Sequence, residues 1–230
     1  QSIRYESEKY GPSNYSIYMN KDYGNVKGYT FSLTKRYDPV SRTSAFVDYT
    51  YQVTEGNSVT SGSFYYNALS GEQEEKRIVP LAWDQRHILN TNVSVGDPRN
   101  WNLGIISKLS SGWPYTPNIP DANYVPQPNS GRKPWQWRVD MRLHKNFKIG
   151  KLNYLVFMKV YNLLDRRNER YVFNDTGRAG YTYVFQSTQE TQGFKSHYGE
   201  PGVHEWSEYQ VRPHYYTAPR SVNVGFSVDF

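Results

Sequence analysis

The 230-residue chain contains no cysteine. That excludes a disulfide scaffold, thiolate metal sites and cysteine nucleophiles, while leaving the compartment open, because many secreted bacterial proteins also lack the residue. It contains no run of about 18 apolar residues, the length a membrane-spanning helix needs. Hydrophobic residues are only 37% of the sequence, few for a plain soluble core. The opening residues, Gln1-Ser2-Ile3-Arg4-Tyr5, lack a basic stretch leading into an apolar core, so no signal peptide is read and the chain is expected to be processed or a fragment. There is no phosphate loop, dinucleotide fingerprint or nucleophile elbow. Carboxylates are scattered, so no pair can be nominated for glycoside hydrolysis, which needs two at a defined separation. An enzyme and a bound cofactor are therefore not expected.

What is abundant is aromatic: 22 Tyr, 10 Phe and 6 Trp, or 17% of residues. A spanning β-strand needs only about 10 residues and exposes every second one to lipid, so a hydrophilic average composition is compatible with a membrane barrel. Strict period two is present. Val222, Val224, Phe226, Val228 and Phe230 alternate with Ser221, Asn223, Gly225, Ser227 and Asp229. Trp135, Trp137, Val139, Met141 and Leu143 alternate with Gln136, Arg138, Asp140, Arg142 and His144, a pattern no amphipathic helix produces.

Further strands are read over Tyr29 to Leu33, Ala45 to Tyr51, Leu89 to Val95 and Trp101 to Trp113, with Phe46 and Ile106 as single exceptions to the alternation. Leu152 to Leu164 is apolar on both faces and is assigned as strand from its β-branched and aromatic content. Counting Tyr15 to Asn20 as a partial first strand gives about eight.

The connections fall into two alternating classes. Short turns are read at 38–42, 97–100 and 149–150, and long polar loops at 54–81, 117–133 and 166–213. Strands joined by short turns at one end and long loops at the other match an outer-membrane barrel, with the short turns periplasmic and the long loops extracellular. The expected fold is thus all-β: a transmembrane antiparallel β-barrel over residues 1–230, with about eight strands visible. In hydrocarbon the Val, Phe, Leu and Met series must face lipid, leaving Arg138, Asp140, Arg142 and His144, with Asp48, Arg86 and Lys108 on neighbouring strands, toward a wet interior. Trp101, Trp113, Tyr115, Trp135, Trp137 and Phe230 are expected in the interfacial girdles.

Four local patterns resemble the C-terminal part of the barrel of TonB-dependent outer-membrane receptors. Asn25-Val26-Lys27-Gly28-Tyr29-Thr30-Phe31-Ser32-Leu33, followed by Lys35-Arg36, is similar to a recurrent strand opening of that family. Asp84-Gln85-Arg86-His87 ahead of a strand, and Val160-Tyr161-Asn162-Leu163-Leu164-Asp165 ahead of the last long loop, resemble two more. Pro219-Arg220 through Phe230 resembles the final strand and assembly signal. The resemblance runs from about Asp22 onward, with order and spacing kept. It implies a bacterial outer-membrane location and energy-coupled uptake of a nutrient such as a metal chelate or oligosaccharide. The partners it implies are outer-membrane lipid, the barrel-assembly machinery through Val224, Phe226, Val228 and Phe230, and TonB through a plug region not in this chain. A surface lipoprotein is a further candidate. The family's barrel has about 22 strands, so the chain reads as part of a larger one.

Candidate ligand-facing residues are the loop aromatics Tyr181, Tyr183, Phe185, Phe194, Tyr198, Trp206 and Tyr209, which can stack on a sugar or an aromatic chelate, with Trp113 and Tyr115 at a strand mouth. His197, Glu200, His204, Glu205, Glu208 and His214 are potential metal ligands, but their spacing fits no closed metal motif, so a solvated loop is the reading and no metal residue is nominated. The net charge of +6 comes from Lys and Arg that occur singly, without the clustered basic face nucleic acid needs; attraction to anionic lipid is simpler. Two other classes fit parts of the pattern. A self-contained eight-stranded barrel, an anchor or adhesin, requires its first strand to pair with its last. A soluble all-β carbohydrate-binding module requires a second sheet against the apolar face.

Overall fold

The computed structural model describes residues 23–57, 77–97, 99–118, 127–183 and 212–229, together with the backbone of two strands nearer the start, β1 (Ser2–Ser7) and β2 (Gly11–Ser16). The fold is all-β. Its body is one antiparallel sheet in which consecutive long strands are neighbours: β3 (Gly24–Asp38), β4 (Thr43–Gly56), β6 (His87–Asp97), β7 (Trp101–Ser110), β10 (Gln136–Ile149), β11 (Leu152–Tyr161) and β12 (Ser221–Asp229). The two-residue β5 (Val79–Pro80) pairs with the end of β4 and makes the eighth strand of the sheet. A second short pair, β8 (Pro114–Tyr115) and β9 (Gly131–Arg132), lies in the connection between β7 and β10.

The eighth strand is therefore not the one expected. Residues 11–16 form β2, which pairs with β1 as a separate hairpin and not with the large sheet; residues 17–20 lie outside the described residues. Two other runs stop early. The one beginning at Trp101 ends at Ser110, ahead of Gly112, where a Cβ would collide with the Lys133 backbone. The run beginning at Leu152 ends at Tyr161, because Asn162 takes a φ of 53°, in the left-handed region that breaks a strand.

Three tight connections lie at one end of the sheet, and local chemistry closes each. In 39–42 the Asp38 carboxylate accepts the backbone N–H groups of Val40 (3.1 Å) and Ser41 (3.0 Å), which is why it sits below the usual Asp range, the Ser41 hydrogen bonds being the main cause. The Asp97 carboxylate accepts the Arg99 N–H (3.0 Å) in the next turn. Gly150, at a φ of 61°, begins the two-residue loop between the paired residues Ile149 and Leu152. The longer connections β4 to β6, β7 to β10 and β11 to β12 all lie at the opposite end.

The register decides which residues share a face, because directly opposite residues of an antiparallel pair point the same way. Reading across the strands, Tyr49 of β4 faces Phe31 of β3 and Leu89 of β6, Leu89 faces Leu109, and Leu109 faces Trp137. Further down, Val95 faces Leu103, Leu103 faces Leu143, Leu143 faces Met158 and Met158 faces Val224. The apolar series of all seven strands therefore lands on one face. On the other face the row Ser32, Asp48, Asn90, Lys108, Arg138 runs straight across five strands.

Among the described residues almost nothing covers the apolar face. Among the described residues the buried apolar side chains are Val79, Val139, Val160, Val172 and Ala179, and on the outermost strand Val224 and Phe226 are 71% and 77% exposed. The two edges of the sheet, β3 and β12, are at opposite ends of the strand order and do not pair with each other. The sheet is open.

Candidate functional site

The long-loop end of the sheet is held by two networks of polar side chains, and both contain the motifs singled out in the sequence. In the first, Asp84 is fully buried. One carboxylate oxygen accepts the Thr54 backbone N–H (2.9 Å); the other accepts Arg86 Nε (3.3 Å) and the Arg132 guanidinium. Gln85 and His87 bind the segment after β7, through the Ser111 carbonyl (2.9 Å) and hydroxyl (3.1 Å). Asn129 extends the network by donating to the Pro80 carbonyl (2.7 Å). A buried carboxylate needs this company, since each oxygen left unpaired away from water is costly. The result ties the ends of β4, β6 and the β8–β9 pair together.

The second network is built on Asn162 and Asn168, both buried. The Asn162 side-chain amide donates to the carbonyls of Arg166 (3.2 Å) and Ala218 (3.0 Å), while its oxygen accepts the Arg166 N–H (3.2 Å). Asn168 accepts the Trp137 N–H (2.9 Å) and donates to the Trp137 carbonyl (2.9 Å), mimicking a strand partner at the start of β10. The Asp165 carboxylate accepts the Arg220 N–H (2.8 Å). The chain entering β12 is thus fastened to the chain leaving β11.

On this platform stands a compact loop over residues 169–183. The Glu169 carboxylate binds Arg178 through Nη2 (2.8 Å) and Nε (3.0 Å) and accepts the Ala179 N–H (2.6 Å). The ion pair raises the Arg178 guanidinium further above its ordinary value. Asp175 accepts from the Thr182 hydroxyl (2.8 Å) and the Tyr183 N–H (2.5 Å). These bonds set Tyr181 and Tyr183 edge to face, 5.6 Å between centroids, with Tyr183 71% exposed. On the same loop Tyr171 is exposed, tilted against Tyr215 at 5.9 Å, with the Arg170 guanidinium 5.5 Å and Lys133 Nζ 5.8 Å from its ring centre. Burial pushes the Lys133 amine below the usual Lys range, and Nζ donates to the Arg170 carbonyl (3.1 Å). Exposed rings held rigidly beside cations can stack on a planar or sugar-like ligand and attract negative charge on it.

The nominated ligand-facing residues are distributed unequally. Tyr181 and Tyr183 share the exposed ledge, and Trp113 is exposed near the β8 strand. Tyr115 is packed inward: its ring lies so close to Gly131 and to Gly177, at a φ of 68°, that neither position has room for a Cβ. Phe185, Phe194, Tyr198, Trp206 and Tyr209 lie outside the described residues, as do His197, Glu200, His204, Glu205, Glu208 and Phe230. His214 is described and sets its ring edge-on to Tyr215 at 4.9 Å. Among the described residues no group of three or more His, Asp or Glu side chains is placed to hold a metal ion.

Arg138, Asp140, Arg142 and His144 lie on the polar face of β10, and Asp48 and Lys108 fall in the Arg138 row. Arg86 precedes β6 and is committed to Asp84. The pairing of Glu169 with Arg178 and the Tyr171 cluster were not legible beforehand, because they join residues of one polar loop whose path no periodicity encodes. Comparison with protein-family models, with curated proteins and with solved structures finds no match for this chain.

Proposed function

We propose that this chain forms part of the wall and outer mouth of an outer-membrane uptake receptor, built like the C-terminal barrel region of a TonB-dependent receptor. The observation that carries the reading is the single uncovered apolar face shared by seven consecutive strands, backed by a face of Ser, Asn, Thr and charged side chains. Water would expel such a face, whereas hydrocarbon solvates it while the ladder satisfies the backbone. Its height fits. Trp101 at the turn end and Leu109, which faces Trp137 at the loop end, are eight steps apart on β7 (109 − 101), about 27 Å along the strand. Tilted by about 40°, that spans about 20 Å of depth between aromatic levels, against an apolar band of about 25 Å in such barrels.

The open edges also support a wall and not a closed small barrel, since β3 and β12 each leave one row of backbone groups for further strands. In this mechanism the exposed rings of the 169–183 loop, Tyr171 and the Tyr181–Tyr183 pair, take the nutrient first, and the polar face lines the path along which it moves once a plug is withdrawn by TonB. The rigid loop platform keeps the ledge in place, so binding costs little ordering. Envelope fractionation tests the location: the protein is expected in outer membranes, released by detergent and not by salt or carbonate. Cross-linking to TonB in energised cells tests the coupling, and a detergent-soluble protein that never captures TonB would contradict the receptor half of the reading.

A further inference from the structure

The two exceptions to the alternating pattern, Phe46 and Ile106, stand in one cross-strand row on the polar face, 41% and 56% exposed. Asn92 lies between them and Asp140 follows Ile106; Tyr161, exposed, is the next residue after Val160, which pairs with Met141, and so falls at the end of the same row. Directly opposite residues in neighbouring strands are about 5 Å apart, so Ile106 and Tyr161 stand about 10 Å apart with Asp140 between them. One row toward the loops are Lys108 and Arg138, opposite each other; one row toward the turns are Arg142 and Lys159, also opposite each other. Like charges directly opposite destabilise a sheet. Here that happens twice, on both sides of the row that carries Phe46, Ile106 and Tyr161 along with Asn92 and Asp140.

The local acid does not resolve this. Asp140 gives one carboxylate oxygen to Arg138 Nε (2.9 Å) and to the Asn162 N–H (2.8 Å), and its charge is matched by Arg138 alone. Arg142, Lys159 and Lys108 make no ion pair among the described residues; the Lys159 amine lies over the Phe157 ring at 5.3 Å. Opposite Arg142 on β7 is Gly104, which presents no side chain. Ile106 and Tyr161 between two pairs of like cations, beside a position without a side chain, match a solute with an apolar body and several anionic groups.

We infer that the polar face around Ile106 and Tyr161 is a binding station for an organic polyanion, a polycarboxylate with an aromatic or aliphatic body, whose charges are taken by Lys108, Arg138, Arg142 and Lys159. It deepens the uptake reading by naming the class of solute, since this is the face that would line the lumen. Protein that needs no detergent would end that reading while leaving polyanion binding measurable.

The test uses the full-length protein in detergent, titrated calorimetrically with benzene-1,3,5-tricarboxylate, with inorganic phosphate and benzyl alcohol as probes that supply only the charge or only the body. The expected result is saturable tricarboxylate binding at least tenfold tighter than either comparison probe. The double variant Arg142→Gln/Lys159→Gln is expected to lose at least tenfold in affinity, and Ile106→Ser severalfold. Lys151→Gln, in the hairpin loop, should bind as wild type does. Should the double variant fail to fold, Lys108→Gln alone is expected to weaken binding severalfold. Wild type that takes no tricarboxylate, or variants that bind it unchanged, would overturn the assignment.

Discussion

At the scale of single residues, Asp84 braces the loop end of the sheet, a fully buried carboxylate between two guanidinium groups and a backbone N–H. Removing one partner of a buried charged network typically costs about 3 kcal/mol or more, because the remaining charges stay desolvated. Asp84→Ala is therefore expected to lower the unfolding free energy by about 3 kcal/mol in denaturant titration, with Asp84→Asn intermediate. Asn162 makes a different point. It supplies both a left-handed backbone and three side-chain hydrogen bonds, so Asn162→Gly keeps only the first and Asn162→Ala keeps neither. Both should destabilise, Ala more than Gly, by about 2 kcal/mol in all for Ala. Gly worse than Ala would show that the left-handed backbone is not what the position demands, and a Gly variant as stable as wild type would show that the hydrogen bonds are not what holds the loop.

Tyr115 gives a pH-dependent prediction. Burial, and then the nearby Asp175 charge, hold its phenol above the ordinary value of about 10, so the folded state keeps the proton where the unfolded state releases it. The stability it contributes is complete below about pH 10 and is lost as pH rises through the folded value. Wild type should thus lose stability above pH 10 relative to Tyr115→Phe, while the difference between them stays constant below it. The sequence marked Tyr115 as a ligand-facing aromatic; its packing against Gly131 and Gly177, 16 and 62 residues further along the chain (131 − 115 and 177 − 115), depends on the path of polar loops, and alternation says nothing of that.

At the scale of the strands, sequence and structure agree closely, and for a physical reason. A strand that separates two unlike media carries a period-two code, and register then has to bring like faces together, since a slip of one residue would reverse every side chain. Hence β4, β6, β7, β10, β11 and β12 could be read from alternation, even β11, whose polar face carries Leu155, Phe157 and Tyr161. What could not be read were the strand ends, set by the left-handed backbone at Asn162 and the close approach of the Lys133 backbone at Gly112, and the pairing of the first residues, where alternation alone does not choose a partner. The faces are testable independently of any ligand. Val224→Arg is expected to cost about 2 to 4 kcal/mol in lipid, and Asn223→Arg, its neighbour on the polar face, less than about 1 kcal/mol. Equal costs at the two positions would remove the distinction between the faces.

At the scale of the whole molecule, seven long strands make an open sheet with one oily face, two free edges, tight turns at one end and a braced loop platform at the other. Each feature has an alternative use in a soluble protein, but together they leave a soluble form without cover for its apolar face, since no second large sheet is present among the described residues. The central claim is that this face meets lipid. Because these 230 residues contain no cysteine, single-cysteine scanning along β12 tests it directly, at Val222, Val224 and Phe226 on one face and Asn223 and Ser227 on the other. In native membranes, a fluorophore at the first three positions should be quenched by brominated lipid and resist an aqueous quencher, with the reverse at the other two. Quenching from water at every position, or protection at Val222, Val224 and Phe226 without sensitivity to brominated lipid, would contradict it.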